Sequence, residues 1–220
     1  MTDLNFEKAR FNMIEQQIRT WEVLDQRVLD VLTQTPREDF VPERHRALAF
    51  ADIQIPLDHG QHMLQPKMEG RILQVLALRK TDRVLEIGTG SGYLSACLAK
   101  LAGHVDSVDI YPELVEAARG KLAAHGLTNI TLAVGDAANG WSEGAPFDAI
   151  VVSGSLPIYL EAFQQLLAPG GRLFVVAGRA PAMQAWLITR VGEKDFSREC
   201  LFETVQTPLV NAIQPQQFIL

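Results

Sequence analysis

The stretch VLEIGTGSGYLSACLAKLAGHVDSVDI, Val84 to Ile110, constrains this chain more than any other part of it. It reads as an apolar strand, a loop with glycines at 88, 90 and 92, an apolar helix, and a second strand ending in an acid. A strand that feeds a helix and then another strand implies parallel pairing, because parallel neighbours need a crossover. Glycines in the connecting loop let the backbone pass close beneath a ligand with no side chain in the way. Asp109 lies 19 residues past Gly90, at the carboxyl end of the second strand. A carboxylate there can accept hydrogen bonds from both hydroxyls of a ribose. The unit predicts a nucleotide-like ligand.

The rest of the chain extends the same architecture. A helix over Pro112–His125 leads to the strand ITLAVGD and then to the strand FDAIVVSG. A helix over Ile158–Leu167 is expected before PGGRLFVVAG. Strands alternating with helices predict an α/β fold with a doubly wound, mostly parallel sheet and helices on both faces. The tail, QAWLITRVGEKDFSRECLFETVQTPLV, alternates like antiparallel strands around the turn-like GEKD. Upstream, residues 5–33 carry apolar positions at three- and four-residue spacing and read as helices with a break in TWEVLD. TPREDFVPE places two prolines around Phe40 and Val41, and a short helix over Arg44–Phe50 follows. DIQIPLDHGQHMLQP reads as a loop with some extended character, and a helix from Lys67 to about Leu78 leads into the core. The expected organisation is one domain over 1–220: a helical and loop appendage over 1–66, a cofactor-binding core over 67–178, and C-terminal strands over 179–220.

Composition narrows the partners. The chain has 220 residues, 47% of them hydrophobic and 21% charged, with a net charge of −6. An acidic balance disfavours phosphate backbones and anionic lipids as general partners. No apolar run reaches the roughly 20 residues that cross a bilayer, and the start MTDLNFEKARFNM lacks the pattern of a signal peptide. A cytoplasmic protein, monomeric or homodimeric, is expected. The two cysteines, Cys97 and Cys200, lie far apart without metal-ligand spacing, so no metal is expected. Cys97 sits on the apolar helix and reads as a small buried hydrophobe. Tyr93 and Tyr159 read as core or rim residues.

The ligand can be narrowed further. A dinucleotide favours G-x-G-x-x-G, whereas this loop is G-x-G-x-G, and Glu86 stands where a dinucleotide site is more often apolar. S-adenosyl-L-methionine has no phosphate and needs room for a charged amino-acid tail. VLEIGTGSGYLS resembles motif I of the class I S-adenosylmethionine-dependent methyltransferases. VGDA, Val134 to Ala137, resembles their acidic turn at the adenine. FDAIVVSG resembles the strand at whose end substrate and methyl donor meet, and LAPGGRLFVV the turn and strand that follow. The resemblance implies a Rossmann-like methyltransferase fold. It places S-adenosyl-L-methionine against Gln65, Glu86, Gly88, Thr89, Gly90, Gly92, Asp109, Ile110, Asp136 and Ala137.

MIEQQIR, DQRVLDVLTQTPREDFVPE and LAFADIQIPLDHGQHMLQPKM, with the glycine loop, resemble the protein-L-isoaspartate O-methyltransferase family over about Met13–Gly178. That resemblance implies esterification of the stray carboxylate of isoaspartyl residues in damaged proteins. Such chemistry needs little acid–base machinery, because a carboxylate is already ionised at neutral pH. Alignment of the reactants then supplies most of the catalysis. One loop departs from the family. After His-Gly-Gln the family reads Thr-Ile-Ser, and this chain reads His62-Met63-Leu64. Leu64 therefore stands at the position of the hydroxyl assigned to the reacting carboxylate. VVSGSLP also departs, bringing the hydroxyls of Ser153 and Ser155 where the family has small apolar residues.

His62 reads either as a general base or substrate anchor for a different acceptor, such as a hydroxyl or amine, or as a loop histidine that fills space and bonds backbone. His59, Gln61, Met63 and Ser153 are expected on the substrate side, with His59 bracing the loop and Met63 and Leu64 making the pocket apolar. The acceptor is expected to be a protein or peptide carboxylate. Three other readings stay open: a related enzyme with an unidentified small acceptor, a cofactor-binding protein without chemistry, and a nicotinamide dehydrogenase.

Overall fold

The computed structural model describes residues 5–215. The first four residues of the expected appendage and the last five of the expected C-terminal part lie outside the described residues. Helix α1 (Phe6–Met13) runs without a gap into a π-turn over Ile14–Ile18 and a 3₁₀ turn over Arg19–Trp21. Glu22, with φ +59°, breaks the run at the expected TWEVLD position. Asp25 then caps α2 (Gln26–Gln34), its carboxylate accepting from the Arg27 amide. The expected helix after the two prolines is a 3₁₀ segment over Glu43–Leu48. Phe40, between those prolines, is fully buried.

The expected extended loop forms a two-stranded ribbon of β1 (Ile55–Pro56) and β2 (His62–Met63), paired antiparallel. Helix α3 (Pro66–Leu76) follows, with proline at its first turn, where a missing N–H costs nothing. The α/β core then runs β3 (Arg83–Ile87), α4 (Tyr93–Leu101), β4 (His104–Asp109), α5 (Pro112–Ala124), β5 (Ile130–Val134), β6 (Phe147–Leu156), α6 (Ala162–Gln165) and β7 (Leu167–Arg179). A hairpin of β8 (Ala182–Arg190) and β9 (Phe196–Thr204) ends the sheet. Its turn is closed by the Val191 amide donating to the Asp195 carbonyl at 2.9 Å, across the predicted GEKD.

The sheet has seven strands in the order β5-β4-β3-β6-β7-β8-β9. β5 through β7 are parallel, and β8 and β9 are antiparallel. The chain reverses its direction of travel across the sheet between β3 and β6, which opens a crevice beyond their carboxyl ends. One expectation fails here. The helix expected over Ile158–Leu167 is a single turn, Ala162–Gln165: residues 157–161 are irregular, and Leu167 belongs to β7. β6 continues to Leu156 before Pro157 stops it, and Leu167 already pairs with Phe147.

The N-terminal segment shares the core of the sheet. Ile18, Leu29, Leu32 and Phe40 pack in one apolar cluster with Leu73, Cys97, Val105 and Val151. Cys97 is buried, as expected, and its thiol is pushed up to about 12 by burial. At the heart of this packing lies Arg37, with no exposed surface. Its guanidinium forms an ion pair with the buried Glu69 and donates to the Leu64 carbonyl at 2.6 Å and the Ala49 carbonyl at 2.8 Å. It also lies over the Tyr93 ring at 4.8 Å. One side chain thus joins the 3₁₀ segment, the ribbon loop, α3 and α4. Burial lifts the Glu69 carboxyl to about 7, with Arg37 pulling the other way.

Removing one partner of a buried pair strands the other in a medium that cannot solvate it. Arg37→Met is therefore expected to destabilise the protein by about 3–5 kcal/mol. Urea unfolding checks this, and the double variant Arg37→Met/Glu69→Leu is expected to recover much of the loss.

Candidate active site

The glycine loop leaves β3 at Ile87 and sits over the crevice. Gly88 has φ +96°, and a Cβ there would lie 2.2 Å from the Ser153 hydroxyl. That hydroxyl, from the end of β6, is shared between the carbonyls of Ile87 at 2.8 Å and Gly88 at 2.9 Å. No other residue type fits at 88. The Gly90 amide donates to Asp109 Oδ2 at 2.9 Å, and the Tyr111 amide to Asp109 Oδ1 at 3.0 Å. Asp109 thus braces the loop across the crevice while its carboxylate still lines the cleft.

Beneath the loop lies Glu86, with no exposed surface. Its Oε2 accepts from the hydroxyls of Ser107, at 2.7 Å, and Ser95. Its Oε1 has no partner among the described residues. Burial lifts the carboxyl to about 7, partly offset by the two hydroxyl donors. Thr89 joins the same group through a 2.7 Å contact between its hydroxyl and that of Ser107.

The cleft holds about 650 Å³ of empty space, part of it open to solvent. Gly88, Gly90, Asp109, Ile110, Asp136 and Ala137, expected at the cofactor, all line it. So do Gln61, His62 and Ser153 from the expected substrate side. A smaller chamber of about 290 Å³ lies deeper, sharing His62, Gly88, Gly90 and Ser153 with the cleft. Met63, Leu64, Thr89 and Glu86 line that chamber, with Glu69 behind. Leu64 is buried, its backbone held by Arg37.

Three expected residues do not line either space. Gln65 caps α3, its carbonyl accepting from the amides of Met68 and Glu69. Gly92 opens α4 against Ala118 of α5. His59 braces the loop by stacking on Tyr111, with ring centroids 4.1 Å apart and planes 7° from parallel. The hydroxyl of Ser153 is spent on the glycine loop, and that of Ser155 on the Gln206 carbonyl at 2.8 Å. Tyr93 is buried core, and the Tyr159 hydroxyl donates to Gln164 away from the cleft.

The sequence reading missed one wall. Gln206, Thr207, Pro208 and Leu209 close the cleft beside β6. The Ser155 amide donates to the Thr207 carbonyl at 2.8 Å, and the Leu209 amide to the Ser155 carbonyl at 2.9 Å. Thr207 Oγ1 lies 3.4 Å from His62 Nδ1, so this strap meets the ribbon loop over the crevice. Gln206 also donates to the Ser153 carbonyl at 3.1 Å. VQTPLV has no motif that would mark it, and it reads only as the end of the alternating antiparallel tail.

A crevice at the reversal of a parallel sheet, a glycine loop braced by an acid, and a buried carboxylate with one free oxygen define a class I methyltransferase. Comparison with known proteins makes this specific. Residues 8–214 match the family model for protein-L-isoaspartate(D-aspartate) O-methyltransferase, and the chain belongs to that family. Protein-L-isoaspartate O-methyltransferase 1 of Rhodopseudomonas palustris strain HaA2 is 39% identical over 94% of this chain and 84% of its own length. Protein-L-isoaspartate O-methyltransferase of Brucella anthropi is also 39% identical, over 94% and 95% respectively. Among solved structures, a Plasmodium falciparum protein assigned as a protein-L-isoaspartate O-methyltransferase, in complex with S-adenosyl-L-homocysteine, shares the fold. Its TM-score is 0.79 at 21% identity, over 93% of this chain and 98% of that one.

Glu86 carries a pH signature. Its carboxyl rises from 4.5 in the unfolded chain to about 7 in the fold. Between those values the native state keeps a proton that the unfolded state has released, so stability falls as pH rises through the window and levels off above it. Glu86→Gln is expected to shrink that fall, leaving the share of Glu69. Denaturant midpoints at pH 5 and pH 8 measure it.

Proposed function

We propose that this chain transfers the methyl group of S-adenosyl-L-methionine to the free carboxylate of isoaspartyl residues in damaged proteins. The observation that carries the reading is the pairing of a near full-length family match with a cleft whose carboxylates suit that cofactor. Glu86 Oε1 is a buried, unpartnered acceptor, which fits a ligand bearing a cationic amino-acid tail. Asp109 would hold the ribose hydroxyls, and Asp136 with Ala137 would border the adenine. The crowding of Gly88 by Ser153 keeps the first turn of the loop bare of a side chain at residue 88.

When bound, the cofactor supplies an electrophilic methyl group on a sulfonium sulfur. The bond formed joins that carbon to a carboxylate oxygen, and the bond broken leaves a neutral thioether, so no proton moves. The chain need not supply a base. Its work is to position and to dry. Leu57, Met63 and Leu64 keep water from the meeting point, and His62 at the mouth can donate a hydrogen bond to the incoming carboxylate. We further infer one methyltransferase domain, in which the segments before residue 67 and after residue 178 work as parts of the cofactor-binding core.

Incubation with an isoaspartyl peptide and labelled S-adenosyl-L-methionine is expected to give a base-labile methyl ester. No ester from the parent chain, together with ester from Leu64→Ser, would assign the native site to another acceptor. Asp109→Ala removes two hydrogen bonds to a charged acceptor, a loss on the order of 2–4 kcal/mol. Calorimetry should then show cofactor binding roughly 30- to 700-fold weaker.

A further inference from the structure

A second groove adjoins the cleft on the far side of the strap. It holds about 900 Å³, much of it open to solvent, and shares Gln206, Thr207 and Pro208 with the cleft as a common wall. Met183 forms its buried floor, fixed by the Gln206 amide against its sulfur at 3.4 Å. Gln54 bridges one end to the strap, donating to the Val205 carbonyl and to Gln206 Oε1, each at 3.3 Å.

Two features mark this groove as a seat for a peptide. The first is its apolar rim. Val205 is 52% exposed, and Pro157, Ala180 and Pro208 line the groove with it. A polypeptide crossing the rim would cover side chains that water now touches. The second is charge. Arg179 alone among the lining residues is charged, and no carboxylate lies within ion-pair distance of it among the described residues. It stands at the turn of the tight β7–β8 hairpin, paired in register with Ala182. The chain carries a net charge of −6, which repels acidic partners at long range. An isolated arginine here reverses that sign locally.

We infer that Arg179 is a specificity-determining residue. It receives an acidic side chain that flanks the methylated residue, while the rest of the extended peptide lies across the apolar rim. This rests on the activity proposed above. The shared wall of residues 206–208 sets the register: an extended chain advances about 3.3 Å per residue, so the acidic position falls within a few residues of the acceptor.

The test uses two fluorescent isoaspartyl peptides, alike except for glutamates or lysines at positions two and three on both sides of the isoaspartyl residue. The full-length protein is expected to methylate the glutamate peptide with a KM about three- to tenfold lower, and Arg179→Glu to invert the order. Both effects should vanish at 1 M salt, where the screening length is about 3 Å. The same preference in the parent and in Arg179→Glu would overturn the inference. If neither peptide is methylated, the activity reading fails. Anisotropy titration of the same peptides then still decides the groove: an Arg179-dependent preference supports it, and equal affinities overturn it. Concentration-dependent dimerisation that Arg179→Glu dissolves, with no change in peptide preference, would give the groove to a second copy of the chain and overturn the proposal.

Discussion

The buried pair of Arg37 and Glu69 is the contact on which the remainder of the structure depends. A guanidinium with no exposure must place its donors on acceptors, and Arg37 places them on Ala49 after the 3₁₀ segment, Leu64 of the ribbon loop and Glu69 of α3. The ribbon loop reaches the crevice because the Leu64 carbonyl ends on this arginine. The N-terminal helices stay on the sheet because the 3₁₀ segment ends on it too. A hydrophobic cluster of the same volume can match the stability, but it does not fix the register of these segments as hydrogen bonds do.

The crevice itself is organised by anions and hydroxyls. Ser153 pins the first glycine from one side and Asp109 holds the second from the other. Glu86 lies below, hydrogen-bonded on one oxygen and bare on the other. The bare oxygen is expensive in an apolar surrounding, which is why the carboxyl tends to its neutral form in the empty fold. A cationic ligand group would relieve the cost and draw the proton off. Stability given up at Glu86 is thus available as binding free energy.

Much of this was legible in the sequence, because the signals were local. Period and punctuation marked β3, α4, β4 and α5 to within a residue or so, and the spacing of Gly90 to Asp109 placed the acid opposite the loop. The family motifs brought Asp136 and Ala137 to the same cleft. What could not be read depended on long-range pairing. The helix expected at Ile158–Leu167 lost its last residue to a strand partner, Phe147, and its first four to irregular chain after Pro157. The direction of the Ser153 hydroxyl, inward to the glycine loop, depends on a strand 66 residues earlier. Gln65 and Gly92 belong to motifs yet work as helix-terminal residues, because a motif marks a segment and not each side chain in it.

The strap of residues 206–209 has a consequence for how the protein comes into being. Synthesis delivers the glycine loop and Asp109 well before the wall that stands beside them. A nascent polypeptide still in the ribosome can form β3 and β4 but has only an open trough above them. Termination after β9 but before Thr207 leaves a molecule with the fingerprint of the family and a cleft that lacks Thr207, Pro208 and Leu209. A copy halted between those two points therefore lacks one side of the crevice with which to engage the cell's methyl donor.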